Sequence, residues 1–314
     1  SDMATRSFLE VQFPIGPLSL ESYKERDAKG AKVLSSLGKW WGAKPLVLVR
    51  ALVLGCVMPA SEDPERWGDD LGIFMKAMCL DNTGMWKRKT APLPAEICWP
   101  HASAQEKEAL FDDDGRRWRR GGSASMREAL EKRVFYTLGH TAQREYCCRV
   151  EEIDGPPEES WTEINAYLGT RAKSLPDLVR QLSERRFGGR LKVGDAFCGM
   201  GSIPFEAAEL GCDVYASDLN PVACLLTWGA LNIIGGSEEF RERVHAAQRE
   251  AYDKVDAWIQ EEGFETSEEG WRAEAYLYCT EVIVPEWDGW RIPICPSWVI
   301  APKLKTWVEL VPIE

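Results

Sequence analysis

The stretch VGDAFCGMGSIPFEAAELGCDVYASDLNPVA, residues 193–223, constrains the fold more than any other part of the chain. A short apolar run ends at Asp195, a glycine-rich turn follows, and a helix is expected from about Ser202. A second short run then ends at another acid, Asp218. Two short strands joined by a helix are typical of a parallel α/β unit, which binds ligands at the carboxyl ends of its strands. The sequence therefore predicts a ligand site around this turn.

The glycines and the two acids limit the kind of ligand that such a site accepts. Gly199 and Gly201 stand where the backbone comes close to a ligand, and the free amides of the following helix face the same crevice. A dinucleotide site would need a third glycine, and Asp195 would repel a pyrophosphate but attract an ammonium group. Asp218 can accept hydrogen bonds from both hydroxyls of a ribose. A ligand with an amino acid at one end and a ribose at the other is S-adenosylmethionine, and the alternatives are a nucleotide-binding turn and a purely structural one.

The same stretch resembles motifs I and II of amino-methyltransferases that act on DNA bases. The segment WWGAKPLVLVRALV, residues 40–53, resembles their motif X, a Lys-Pro-Leu loop and helix beside the methionine end of the cofactor. Over nearly all its length the chain is similar to the N-terminal part of large adenine-specific DNA methylases, which begin with a domain of unknown function and carry a zinc ribbon. The resemblance implies an α/β fold of the S-adenosylmethionine-dependent methyltransferase type, Rossmann-like and three-layered, incomplete in this chain. It also implies a cofactor site formed by Lys44, Pro45, Asp195, Phe197, Gly199, Gly201, Asp218 and Asn220.

Three further residues near these motifs have alternative interpretations. Trp40 or Trp41 either stacks near the adenine of the cofactor or the target base, or packs under the sheet. Cys198, inside the glycine turn, is predicted to pack in the turn rather than to act as a nucleophile. Enzymes that methylate a cytosine carbon place their nucleophilic cysteine after a proline in a later motif.

The chain lacks the motif with which amino-methyltransferases hold their target. These enzymes flip the base out and bind it with an acceptor–Pro–Pro–aromatic loop. The nearest strings are DGPP at 154–157, which Glu158 follows in place of an aromatic residue, and CPSW at 295–298, which lacks the acceptor and the second proline. We therefore assign no catalytic residue and expect the isolated chain to be inactive. The motif would belong to the C-terminal half of a longer enzyme, which we favour, or to a separate subunit.

The sequence divides into four predicted segments. Residues 4–60 form the motif X part of the methyltransferase core, and the polar residues 61–188 form an inserted subdomain. Residues 189–263 form the cofactor-binding core with motifs I and II and a long helix. Residues 268–314 alternate aromatic and β-branched residues around the turn EWDGW and predict a small antiparallel β ribbon.

This ribbon departs from the family in its cysteines. Val284 and Trp287 stand where relatives carry the first zinc-binding pair, and Cys279 and Cys295 supply two of the four ligands that a structural zinc needs. We predict no metal here and expect an aromatic cluster to hold the ribbon instead. Its candidate members are Trp271, Tyr276, Tyr278, Trp287, Trp290, Trp298 and Trp307.

The charge balance restricts the way in which the chain can meet DNA. The 38 basic and 50 acidic residues give a net charge of -12, which argues against a general nucleic-acid coat protein but not against a local basic strip. The segment RRWRR offers such a strip around Trp118, suited to phosphate contact or stacking, and a solvated charge run is the alternative. The candidate phosphate contacts are Arg116, Arg117, Arg119 and Arg120.

Cysteine usage and hydropathy bear on the location of the protein. The ten cysteines are scattered along a chain of 314 residues, which favours free thiols in the cytoplasm over a secreted disulfide framework. No apolar stretch approaches the roughly 20 residues of a membrane span, so no membrane partner is expected.

Two functions follow as expectations. The resemblance implies transfer of a methyl group from S-adenosylmethionine to adenine amines in DNA, by direct attack of the amine, in a bacterial restriction or phage-defence system. The second is a non-catalytic module that holds S-adenosylmethionine or serves in assembly by docking a partner subunit. The sequence leaves open the recognition site, the choice between adenine and cytosine amines, and the oligomeric state.

Overall fold

The structure is a computed structural model, and the chain divides into two compact units. The units are Ser1–Val244 and His245–Glu314. The residues that the structure describes are 6–26, 34, 37–38, 40–112, 114–273, 279–285, 290–294, 297, 299–301 and 306–307.

Helices dominate the described residues. The α-helices are α1 (Phe8–Val11), α2 (Ile15–Arg26), α3 (Leu46–Val57), α4 (Trp67–Ala77), α5 (Asn82–Arg88), α6 (Ala95–Cys98), α7 (Ala104–Leu110), α8 (Ala124–Phe135), α9 (His140–Arg144), α10 (Glu158–Leu168), α11 (Leu175–Phe187), α12 (Ser202–Glu209), α13 (Pro221–Gly229) and α14 (Glu238–Glu262). The strands are β1 (Lys192–Asp195), β2 (Asp213–Ala216), β3 (Thr280–Val284), β4 (Trp290–Ile294), β5 (Val299–Ala301) and β6 (Thr306–Trp307). Short helical turns span Pro64–Arg66, Trp99–His101, Val150–Glu152 and Ala230–Ile234.

The main core of the first unit forms around α3. This helix is apolar on nearly every face, as expected for a helix in the centre of a core. Pro45 precedes it with φ near −58°, a value that the proline ring fixes and that suits the start of a helix. Helices α1, α2, α11 and α12 pack around α3, and Phe8 of α1 stacks on Phe74 of α4 with ring centroids 4.4 Å apart.

One pair of opposite charges lies inside this core. Arg50 of α3 and Glu206 of α12 are both buried, and Nε of Arg50 donates a hydrogen bond to Oε1 of Glu206 at 2.5 Å. Arg50 also donates to the carbonyl oxygen of Val150 at 3.0 Å. Burial raises the pKa of Glu206 to about 7, because the loss of solvent outweighs the attraction of Arg50. The pair holds α12 against α3 although the two residues are 156 positions apart.

Strands β1 and β2 pair in parallel, with α12 as the connection between them. Val193 and Val214 pack against the main core. The opposite face of the sheet is exposed and carries Lys192, Gly194, Asp213 and Tyr215. The predicted three-layer fold needs helices on both faces of the sheet, and the described residues provide them on one.

The predicted insertion, residues 61–188, is divided between two cores. Helices α4, α10 and α11 contribute to the main core. Residues 85–147 enclose a second core that is centred on Phe111, Leu130 and Phe135. The part with a core of its own is therefore shorter than the predicted insertion.

The two ends of this smaller segment lie side by side. Lys89 and Cys147 form an antiparallel bridge, and the N–H of Cys148 donates to the carbonyl oxygen of Arg88 at 2.8 Å. The guanidinium of Arg88 is fully buried and pairs with the carboxylate of Glu21 on α2. The chain thus leaves and re-enters the main core at one place.

The second unit contains the antiparallel pair that the sequence predicted around EWDGW. Val282 of β3 lies opposite Ile292 of β4, and the turn residues 286–289 lie outside the described part of the chain. The expected aromatic cluster finds no support in its described members, because Trp271, Trp290 and Trp307 are all exposed. The remaining candidates, Tyr276, Tyr278, Trp287 and Trp298, lie outside the described residues.

The cysteine that the structure describes in the second unit is not grouped with other described metal-binding side chains. Cys279 is exposed, and Cys295 lies outside the described residues. No three His, Cys, Asp or Glu side chains within the described ranges are placed to hold a metal ion, and the nine described cysteines are free. No helix in the described part of the chain is long and apolar enough to cross a membrane.

Replacing Arg50 by methionine tests the buried pair. We expect Arg50→Met to lower the free energy of unfolding by roughly 3–5 kcal/mol at pH 8, because it leaves Glu206 charged and buried without its partner. The loss should shrink as the pH falls below about 7, where Glu206 takes up a proton in the folded protein. Urea unfolding at several pH values measures both effects.

Arg180 provides the matched control, because its pairs with Asp177 and Glu184 lie on the surface. Arg180→Met should change the stability little at any of these pH values. A loss for Arg50→Met no larger than that for Arg180→Met would show that the buried pair does not hold the core.

Candidate cofactor site

Backbone hydrogen bonds bring the ends of β1 and β2 together. The carbonyl oxygen of Asp195 accepts the N–H of Ser217 at 2.9 Å, and the N–H of Cys198 donates to the carbonyl oxygen of Ser217 at 3.1 Å. The turn after β1 and the residues after β2 therefore lie at one edge of the sheet. This is the arrangement that the parallel α/β pattern predicted.

The turn after β1 requires glycine at two positions. Gly199 and Gly201 have φ values of +53° and +85°, which other residues rarely adopt. A Cβ atom on Gly199 would lie 2.6 Å from Nε1 of Trp40, and one on Gly201 would lie 2.9 Å from Cα of Thr227. The hydroxyl of Thr227 donates to the carbonyl oxygen of Gly199 at 3.2 Å. Cys198 is buried in this turn, as predicted.

The carboxylate of Asp218 is fixed by two backbone amides. Its oxygens accept the N–H of Asn220 and the N–H of Gly199, each at 2.9 Å. These N–H groups, that of Asn220 first, hold the pKa of Asp218 below its usual range, so the group is ionised at neutral pH. A carboxylate has about four acceptor positions, and the two that remain can accept hydrogen bonds from a ligand.

Asn220 serves the following helix rather than the turn itself. Its side-chain oxygen accepts the N–H of Val222 at 2.9 Å and caps the start of α13. This is the usual contribution of an asparagine at the first position of a helix.

The loop that precedes α3 lies on the other side of the site. A carboxylate oxygen of Glu25 on α2 accepts the N–H of Leu46 at 2.7 Å and so stabilises the start of α3. Burial raises the pKa of Glu25 to about 7. The ion pair of Arg50 with Glu206 then holds this end of α3 close to α12, which begins directly after the glycine turn.

The two segments enclose a cavity of about 250 Å³. Its walls are formed by Trp40, Gly42, Ala43, Lys44, Asp195, Phe197, Cys198, Gly199, Met200, Ser202 and Ile203. A cation, Lys44, and an anion, Asp195, therefore line the same cavity. Phe197 is 82% exposed and leaves one side of its ring free for a ligand.

Half of the eight predicted cofactor residues line the cavity, and half do not. Lys44, Asp195, Phe197 and Gly199 belong to its wall. Pro45 and Gly201 instead stand at the starts of α3 and α12. Asp218 reaches the wall through its hydrogen bond to Gly199, and Asn220 caps α13 and donates its N–H to Asp218.

The structure places the two tryptophans differently, and stacking of Trp40 on an adenine stays a prediction. Trp40 lies against Gly199 and lines the cavity, whereas Trp41 is fully exposed. Thr227 was missed altogether, because nothing in the local sequence connects α13 with a turn 28 residues earlier. Gly199 and Gly201 could have indicated the contacts with Trp40 and Thr227, because a glycine leaves room for another residue to lie against the backbone.

The arginines of the basic strip are exposed, but Trp118 packs against the second core. The indole of Trp118 donates to the carbonyl oxygen of Leu93 at 2.9 Å and stacks on Phe111, with ring centroids 4.6 Å apart. The guanidinium of Arg127 lies 4.3 Å from its ring centre. The expectation that Trp118 could stack on a base is therefore wrong, because its ring already packs within the second core. The four exposed arginines are Arg116, Arg117, Arg119 and Arg120.

Comparison with known proteins gives one match. A family described as a protein of unknown function (DUF1156) matches residues 12–75. No curated protein matches the chain, and no solved structure matches it. The matched segment includes α3 and the residues Lys44 and Pro45, so it covers one wall of the cavity but not the glycine turn.

Proposed function

We propose that this chain is the S-adenosylmethionine-binding part of a DNA adenine amino-methyltransferase. The observation that carries the proposal is the cavity in which the loop before α3 meets the glycine turn after β1. These two segments are the ones that resemble motifs X and I, and they are far apart in the sequence. Their meeting in one cavity supports a shared role in binding one ligand.

The charges around the cavity suit the two ends of S-adenosylmethionine. Asp195 would attract the ammonium group of the methionine, and Lys44 would pair with its carboxylate. Asp218 would accept the ribose hydroxyls with the two acceptor positions that the backbone amides leave open. When bound, this cofactor supplies a methyl group that is activated by the positive sulfur.

The nucleotide alternative fits the same residues less well. A pyrophosphate would lie near the side chains of Asp195 and Asp218, and two acidic groups would repel it. The position of the third glycine in a dinucleotide turn is occupied by Pro204, which cannot donate a backbone hydrogen bond. A ligand with an ammonium group and a free ribose avoids both conflicts.

The target would be DNA, bound mainly by residues outside this chain. Direct attack by an adenine amine needs the amine held in line with the methyl group, so positioning provides much of the rate. This chain would contribute phosphate contacts, while a C-terminal half or a partner subunit would bring the acceptor–Pro–Pro–aromatic loop. The contacts would be Arg116, Arg117, Arg119 and Arg120. A role in restriction or phage defence rests on the resemblance alone.

A second candidate function, docking of a partner, is favoured by the edge of β1 that faces away from β2, along which no described strand pairs. The carbonyl oxygens of Leu191 and Asp195 accept hydrogen bonds from the β2 side, so the backbone groups of Lys192 and Gly194 face away from it. Beside this edge lies a largely apolar cavity of about 440 Å³, whose wall includes Leu52. An unpaired edge presents N–H and C=O groups that can pair with another strand, which makes a further strand the natural occupant.

Binding of S-adenosylmethionine and the effect of Asp218→Ala test the first proposal. We expect the wild-type chain to bind the cofactor or its demethylated product, and Asp218→Ala to weaken binding roughly tenfold to hundredfold, since hydrogen bonds to a charged group are lost. Isothermal titration calorimetry measures both. Asp213→Ala, which removes an acid from the far end of β2, is the control and should bind normally. Equal affinities for wild type and Asp218→Ala would contradict the assignment.

The close contact between Gly199 and Trp40 gives an independent test. Gly199→Ala should abolish cofactor binding, because its Cβ would displace the Trp40 ring from the cavity wall and force a strained φ. Gly189→Ala is the matched control, since no atom lies within 4 Å of the added Cβ. Calorimetry would follow binding, and circular dichroism would verify that both variants fold. Normal binding by Gly199→Ala would show that the turn is not part of the site.

The purified chain should bind cofactor without turning it over. We expect no transfer of tritium from labelled S-adenosylmethionine to duplex or single-stranded DNA, because the sequence contains no acceptor–Pro–Pro–aromatic motif to hold the target base. A scintillation assay of the recovered DNA measures this. Incorporation above that of the Asp218→Ala variant would mean that the target site lies within these residues.

A further inference from the structure

Helix α14 presents an apolar stripe that the described residues do not bury. Its residues Val244, Ala247, Ala251, Val255 and Trp258 recur at intervals of three or four and therefore share one face. None of the 25 residues of the helix is buried, and Val255 and Trp258 are 52% and 53% exposed. At 1.5 Å per residue the stripe from Val244 to Trp258 extends about 21 Å, and an apolar face of that length in water normally has a partner.

The charged residues along one border of the stripe indicate what the partner is. Arg243, Glu250, Lys254 and Glu261 follow one another at intervals of seven, four and seven residues, and their charges alternate in sign. At 100° per residue, all four lie on the same side of the apolar stripe. Arg243 and Glu261 lie at equal distances on either side of Tyr252, and so do Glu250 and Lys254. Each charged residue therefore has a residue of opposite charge at the same distance on the other side of Tyr252.

This pattern is complementary to itself in one orientation. When two copies of α14 run antiparallel about Tyr252, Arg243 meets Glu261 of the other copy, and Glu250 meets Lys254. Each contact occurs twice, which gives four pairs of opposite charge. In a parallel pair, the border with Arg243 and Glu250 would instead face the other side of the stripe on the second helix. That side carries Arg241 and Gln248, which do not place opposite charges against Arg243 and Glu250.

The apolar side chains fit the same antiparallel arrangement. Trp258 would lie opposite the part of the other helix that carries Ala247, so a large ring meets a small side chain. Ala251 lies next to the symmetry centre, where the two helices approach most closely. An arrangement with the same patch on both partners is the usual basis of a two-fold dimer.

We propose that the chain forms an antiparallel dimer through α14, in which a second copy of the same chain covers the apolar stripe. Neither function proposed above requires this dimer. The dimer would place two cofactor sites in one assembly whether or not the chain acts as a methyltransferase.

Charge reversal at the border tests both the surface and the orientation. The full chain should dimerise in sedimentation-equilibrium experiments, and Ala251→Glu, at the centre of the stripe, should weaken the dimer about tenfold or more by placing a charge in the interface. Arg243→Glu and Glu261→Arg should each weaken it as well. Mixed in equal amounts, these last two variants should associate with nearly wild-type affinity, because the antiparallel contact then again joins opposite charges.

Each other result counts against the proposal. A wild-type chain that stays monomeric over the accessible concentrations, or a dimer that Ala251→Glu leaves unchanged, would exclude α14 as the interface. Failure of the mixed charge variants to associate better than either alone would exclude the antiparallel arrangement. The helical circular dichroism signal of each variant, compared with wild type, separates loss of the dimer from loss of the fold.

Discussion

The buried pair of Arg50 and Glu206 is the interaction on which the rest of the candidate site depends. It joins the helix after the Lys44 loop to the helix after the glycine turn, and both charges are buried next to the apolar main core. A buried charge is costly unless its partner is correctly placed, so the pair tolerates few relative positions of the two helices. The width of the cavity between them follows from that restriction.

The glycine turn adds a steric condition to this electrostatic one. Because Gly199 has no side chain, the indole of Trp40 can lie directly on the backbone and close one wall of the cavity. Gly199 also donates its N–H to Asp218, so the glycine turn contacts both the loop before α3 and the carboxylate after β2. The cofactor would meet a surface that is organised before it arrives, which reduces the entropy lost on binding.

Local patterns predicted the elements, and long-range contacts escaped prediction. The end of β1 at Asp195, the start of α12 at Ser202 and the antiparallel strands on either side of EWDGW were predicted from the sequence, because turn residues and apolar periodicity act within a few residues. The resemblance supplied the cofactor residues, and four of the eight line the cavity. The contact of Trp40 with Gly199, the packing of Trp118 on Phe111 and the division of 61–188 between two cores depend on segments that meet only after folding.

The adjacent ends of residues 85–147 make this segment structurally separate from the candidate cofactor site. Because Lys89 and Cys147 are neighbours, the segment is joined to the main core at one place on its surface. Its length, its charge and the shape of its far end can then change without moving α3 or the glycine turn. Under the proposed function, a chain with a different segment here would keep the candidate cofactor site and change the exposed arginines that would contact DNA phosphates. Phosphate contacts position a protein on DNA without reading its sequence, so such a change would alter the strength of DNA binding rather than the recognised sequence or the chemistry.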